Sequence, residues 1–213
     1  MLQVYGRATS SNVQALVWGL EELGLAYTRL DYGEVYGGLT SAHFQGLTPH
    51  GKIPVLVVDG TALWETGAIL RYLASAHGPE AFWPSDPLRR AEVDMWAEWA
   101  KYSVAAAFTE PVFWQHTRTA PARRDTARIE KNVARLEAEL AKADARLASQ
   151  AFLCGEALSL ADIQLGHVLY RYFDIDIARA DLPALGSYYE HLTTRQAYQN
   201  AVMVSYDSLK DTF

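Results

Sequence analysis

The chain reads as a small α/β domain followed by an all-helical one, and three observations predict this. Strand-like and helix-like segments alternate through the first 78 residues, a Gly- and Pro-rich stretch then breaks the pattern, and no convincing strand follows it. The expected boundaries are 1–78 for the first domain, 79–87 for a linker and 88–213 for the helical domain. With 213 residues, half of them hydrophobic, the chain can bury a substantial core.

Leu2 to Tyr5 is a short strand, and the polar cluster Thr9-Ser10-Ser11-Asn12 opens a helix. Val13, Leu16, Val17, Leu20 and Leu23 then recur at three- and four-residue spacing until Gly24 closes that helix. Tyr27 to Asp31 is a second strand. Tyr32 to Gly51 has no period and reads as loop with one short helix near Ala42. Ile53 to Val58 is an apolar strand, Asp59-Gly60 a hairpin turn, and Thr61 to Leu63 the returning strand. A helix from Glu65 to Ala76 completes the unit. In the second domain a long helix is expected from Leu88 to near Thr117, kinked at Pro111. Another spans Arg123 to Ala148, with Ile129, Val133, Leu136, Leu140 and Leu147 on one stripe. A third begins at Ser159-Leu160-Ala161-Asp162, where Ser159 and Asp162 have capping-box spacing, and shorter helices follow Pro183 and Thr194.

Several function classes are disfavoured at this stage. The net charge of −6 and the lack of any basic run argue against nucleic acid as a partner. No apolar run reaches the ~18–20 residues of a membrane span. The single cysteine, Cys154, rules out an intramolecular disulfide and suits a cytoplasmic protein. The six His show no pair at metal-ligand spacing, so no metal is expected. No phosphate loop or dinucleotide fingerprint is present.

Four stretches in order carry a family resemblance. They are Tyr5-Gly6-Arg7-Ala8-Thr9-Ser10-Ser11-Asn12-Val13 leading to Leu20-Glu21-Glu22-Leu23-Gly24-Leu25; Thr48-Pro49-His50-Gly51-Lys52-Ile53-Pro54-Val55-Leu56; Leu63-Trp64-Glu65-Thr66-Gly67-Ala68-Ile69-Leu70-Arg71-Tyr72-Leu73; and Leu158-Ser159-Leu160-Ala161-Asp162-Ile163. Together they resemble the soluble glutathione transferases, in particular bacterial members related to the theta, phi and nu classes. The resemblance implies a thioredoxin-like first domain that binds glutathione and an all-α second domain that completes the electrophile pocket. It also implies a homodimer.

That family must hold glutathione as the thiolate, the reactive form of a thiol that is mostly protonated at neutral pH. A hydroxyl at a helix N-terminus does so by one hydrogen bond and the helix dipole. By its spacing to Gly24, Ser10 matches the family's serine; the adjacent Ser11 and the amide of Asn12 remain alternatives. The resemblance implies a cis bond before Pro54, which exposes the main chain of Ile53 to the cysteinyl unit in the manner of an added strand. Lys52 is expected at the glycyl carboxylate. Glu65 and Thr66 are expected at the γ-glutamyl ammonium and carboxylate, the latter seated on a helix N-terminus, with Thr66 replacing the usual Ser. Asp162 is expected to cap its helix rather than to act as an acid.

For the electrophile pocket the candidates are Tyr102, Phe113, Trp114 and His116, with Tyr36 at its border. The expected reaction is transfer of glutathione to a small hydrophobic electrophile. A glutathione-dependent peroxidase or disulfide reductase, a non-catalytic ligand carrier, and activation by Tyr5 are the alternatives. A stand-alone thioredoxin-type protein would need a cysteine pair that this chain lacks.

Overall fold

The computed structural model describes residues Met1–Phe213. Four short strands form one mixed sheet: β1 (Leu2–Tyr5), β2 (Tyr27–Leu30), β3 (Val55–Val58) and β4 (Thr61–Trp64), in the order β2-β1-β3-β4. β1 runs parallel to β2 and antiparallel to β3, and β3–β4 is a hairpin. Its turn residues Asp59 and Gly60 have φ +47° and +88°, the left-handed pair that a two-residue hairpin needs. β3 begins two residues later than the periodicity suggests, because Pro54 has no N–H to give a ladder.

Both faces of the sheet are covered, so β3 is apolar throughout. Val4 and Leu56 pack with the helices α1 (Ser11–Glu22) and α3 (Thr66–His77). Tyr5, Val55 and Val57 face the other way, onto Phe44 of α2 (Ala42–Leu47). α1 ends in a Schellman motif: Gly24 takes φ +65°, and the N–H groups of Leu25 and Gly24 reach the carbonyls of Leu20 and Glu21 at 2.9 and 3.1 Å.

The second domain contains no strand. A helical run begins at α4 (Pro87–Trp99) and continues through wide π-type turns over Ala100–Ala105. It then passes through a single α turn, α5 (Ala106–Phe108), and further wide turns over Thr109–Arg118. Pro111 therefore falls within wide winding rather than at a sharp kink. α6 (Thr126–Leu147) starts three residues later than expected. It is capped by Asp125, which accepts from the Arg128 N–H at 3.0 Å, and its predicted apolar stripe is buried. α7 (Leu160–Asp174) is the central helix, and α8 (Pro183–Thr193) and α9 (Gln196–Ala201) complete the bundle. No helix is long and apolar enough to cross a membrane.

A single core joins the domains. α1 packs on both α7 and α9, and Trp18 lies against Gly166, where an added Cβ would come within 2.7 Å of its ring. Glu22 of α1 takes both arms of Arg195 at 2.8 and 2.6 Å, a bidentate pair that fixes the same face. This packing sets the N-terminus of α1 against the helical domain, where the two cavities described next meet.

Candidate active site

The first cavity is a shallow groove of ≈ 60 Å³ lined by Asn12, Thr48, His50, Lys52, Ile53, Pro54, Trp64, Glu65 and Thr66. The Ile53–Pro54 bond is cis, and neither the N–H nor the C=O of Ile53 makes a hydrogen bond within the chain. Unpaired main-chain groups in extended backbone, here just before the interior strand β3, form a ready template for an extended ligand. Glu65 has φ +69°, outside the comfortable range for a residue with a Cβ. Such backbone outliers concentrate at ligand sites. Glu65 precedes α3, whose first three N–H groups (Thr66, Gly67, Ala68) have no partner, and Thr66 beside them is a largely buried residue whose hydroxyl makes no hydrogen bond. Those donors and the helix dipole suit a carboxylate. The Glu65 carboxylate lies 3.9 Å from His50 Nε2, and His50 packs edge-on against Trp64 at 4.5 Å.

The second cavity is a cleft of ≈ 380 Å³ between the domains. Its walls are Ser11 and Asn12 of α1, Tyr102, Ala105, Ala106 and Pro111 of the long helical run, and the polar residues Lys101, Thr109, Glu110 and His167. Asn12 lines both cavities. Its Oδ1 accepts from Lys101 Nζ at 2.5 Å, while its Nδ2 makes no hydrogen bond. The N–H groups of Ser11, Asn12 and Val13 open α1 and are also unpaired, and Ser10, the N-cap, makes no side-chain cap bond. A partial positive charge therefore points at the junction of the two cavities.

Residues 1–75 match the family model for the glutathione S-transferase N-terminal domain, and residues 102–196 match that for the C-terminal domain. The chain belongs to the glutathione S-transferase family. It is 33% identical over 206 residues to glutathione S-transferase GstB of Escherichia coli K12, covering 96% of this chain and 99% of that protein. It also resembles the theta class glutathione S-transferase of the citrus canker pathogen Xanthomonas axonopodis pv. citri, solved with glutathione bound. That similarity has a TM-score of 0.90 and 39% identity, covering 96% and 98% of the two chains. Glutathione S-transferase 4 of Zea mays is 29% identical over 205 residues, covering 92% of this chain and 89% of that one.

Some of the sequence-predicted residues of this transferase line one or both of the two cavities, and others line neither. Lys52, Ile53, Pro54, Glu65, Thr66 and Asn12 come together in the groove, and Ser11, Asn12 and Tyr102 in the cleft. Ser10 lines neither. Three of the four proposed pocket aromatics lie elsewhere. Phe113 is fully buried in the core, against Phe108 and Tyr206. Trp114 lies under the Arg118 guanidinium and meets Phe213 edge-to-face. His116 faces a separate cavity of ≈ 590 Å³ on α6, which shares no residue with the groove or the cleft; burial pushes its imidazole down. For Phe113 the winding matters: in an α-helix Tyr102 and Phe113 share a face, and the wide turns between them change that register.

Tyr36 is exposed and borders neither cavity. Tyr5 is buried under α2 on the opposite sheet face, its hydroxyl 3.3 Å from His43 Nε2. Cys154 sits away from both cavities, and burial pushes its thiol up to about 12, so it is inert at neutral pH. Asp162 is a cap, as expected. It is wholly buried and accepts from the N–H of Leu153 and Ser159 and the hydroxyls of Ser159 and Tyr188, at 2.7–3.0 Å. The site also holds residues that the sequence reading passed over. His50 and Trp64 lie inside the quoted motifs but were assigned no role, and Lys101 had no local signal at all.

Proposed function

We propose that this transferase binds glutathione extended across the groove and adds its sulfur to a small, largely hydrophobic electrophile held in the cleft. The observation that carries the reading is Asn12, which borders both cavities, has an amide N–H without a partner and sits at the unpaired N-terminus of α1. The main chain of Ile53 pairs with the cysteinyl unit, and Lys52 meets the glycyl carboxylate. The first N–H groups of α3 with the Thr66 hydroxyl hold the γ-glutamyl carboxylate, and Glu65 meets its ammonium. The thiol proton leaves to solvent. The thiolate then forms the C–S bond; a leaving group departs with its electron pair or, in an addition, the electrophile's π pair moves onto a neighbouring atom that takes a proton from solvent. Each unit of thiol acidity requires about 1.4 kcal/mol of preferential thiolate stabilisation. One hydrogen bond to a charged acceptor supplies ~1.5–3 kcal/mol, so Asn12 and the helix end suffice for one to two units. Tyr102, Ala105, Ala106 and Pro111 offer the electrophile apolar contact. The chemistry needs glutathione as the thiol, so the reducing cytoplasm is the compartment that suits it.

Titration calorimetry of Thr66→Val tests the groove. Losing one hydroxyl to a carboxylate is expected to weaken glutathione binding by roughly 10- to 100-fold. Unchanged affinity removes α3 from the site. A homodimer is proposed through the face carrying Trp64, Tyr72, Leu88 and Met95. All four are exposed, and Arg71 ties α3 to α4 there through Asp94 and Glu98. Met95→Asp is expected to shift the protein towards monomer in light scattering at micromolar concentration, and an unchanged mass argues against this face.

A further inference from the structure

The geometry points to Lys101, contributed by the helical domain, as the positioning residue that orients the Asn12 amide and places a fixed positive charge beside the glutathione sulfur. The inference rests on the role proposed above for Asn12. Lys101 follows α4 and reaches across 89 positions of sequence to Asn12 Oδ1. An ammonium carries three donors and no acceptor, so it meets a carboxamide only through the oxygen. Lys101 therefore fixes which way the amide faces. The oxygen is taken, and Nδ2, with no partner in the protein, is the group left to donate to a sulfur. Without Lys101 the amide can flip and offer the thiolate a repelling oxygen.

The charge argument is independent of the amide. Lys101 is half-buried, and its one hydrogen bond is to a neutral amide. The carboxylates near it are otherwise placed. Glu98, on α4, is bound by Arg71; Glu65, before α3, points largely to solvent beside His50; and Glu110 rims the outer cleft. On α7, His167 adds no second charge, since burial and then Lys101 itself push its imidazole down to about 3. Burial also pushes the Lys101 ammonium down, with Glu65 and Glu98 opposing. The molecule thus keeps a half-buried cation without a committed counter-ion at the junction of the groove and the cleft. An anion formed at Asn12 would be that counter-ion, and it is favoured by the pairing.

The test is an ultraviolet difference titration of saturating glutathione on wild type, Lys101→Met, Lys101→Gln and Lys101→Arg, with melting curves to confirm folding. The thiolate titration is expected to move up by about one pH unit in the Met and Gln variants, a loss of thiolate that approaches tenfold well below the wild-type midpoint. Arg should keep it near wild type. Glutathione affinity below the titration range, where the thiol is protonated, should change less than threefold, an outcome that general damage to the site would not give. Asn12→Ala/Lys101→Met should shift the titration by less than the sum of the two single shifts. A folded Met or Gln variant that titrates like wild type overturns the inference and leaves the glutathione site intact. Wild type that binds glutathione without forming thiolate defeats the proposed role of Asn12, and the Lys101 inference falls with it.

Discussion

Asn12→Ala is expected to lower kcat/KM for glutathione conjugation by roughly 10- to 100-fold, since one donor to a thiolate contributes about 1.5–3 kcal/mol and each 1.4 kcal/mol is tenfold. The loss should fall mainly on thiolate formation, visible as a shift of the pH–rate profile to higher pH. Binding of protonated glutathione should change little, because the groove's other contacts remain. Ser10→Ala is the informative contrast. The Ser10 side chain makes no hydrogen bond and borders neither cavity, so its removal should change the rate by only a few-fold. The reverse pattern, with Ser10→Ala crippling and Asn12→Ala mild, would return the sulfur contact to the serine that the spacing to Gly24 singles out. Ser11→Ala completes the series, because Ser11 borders the cleft but not the groove.

Asp162→Ala is expected to be the most destabilising single change, by about 3–5 kcal/mol. It leaves two buried main-chain N–H groups and two hydroxyls without an acceptor, each such group costing ~1–3 kcal/mol, partly relieved by rotation of the hydroxyls. At roughly 2–4 °C per kcal/mol for a chain of this size, the melting temperature should fall by about 10 °C. Asp162→Asn should not rescue it. Oδ1 accepts from the Leu153 N–H and Oδ2 from the Ser159 N–H, so in either flip the amide NH2 faces a main-chain donor that cannot turn away. Protein that stays folded at low temperature should keep its kcat, because Asp162 touches neither cavity. A folded Asp162→Ala protein with normal melting and lost turnover would contradict the capping role.

The first domain was legible because its signals are local. The spacing of Val13 to Leu23, the Asp59-Gly60 turn and the helix from Glu65 each need only neighbouring residues, and their order places Ile53, Glu65 and Thr66 together. The long helical run was legible as a helix but not in its facing, since a wide turn leaves no mark in hydrophobic spacing. Of the candidates on that run, Phe113, Trp114 and His116 line neither the groove nor the cleft. The choice among Ser10, Ser11 and Asn12 was not legible for another reason. Successive residues at a helix start point about 100° apart, and the partner that marks out Asn12, Lys101, comes from the other domain. His50 stood in plain view between Pro49 and Gly51, but a single loop histidine has no periodic signature, and only the approach to Glu65 and Trp64 gives it a place.

In the proposed mechanism glutathione lies across the groove with its sulfur, as thiolate, at Asn12. The most direct test is an ultraviolet difference titration of the unmodified protein with glutathione across pH. A saturable thiolate band is expected at neutral pH, with its midpoint at least one unit below that of free glutathione. Saturable binding with no such band, or with a midpoint at the free value, would contradict it.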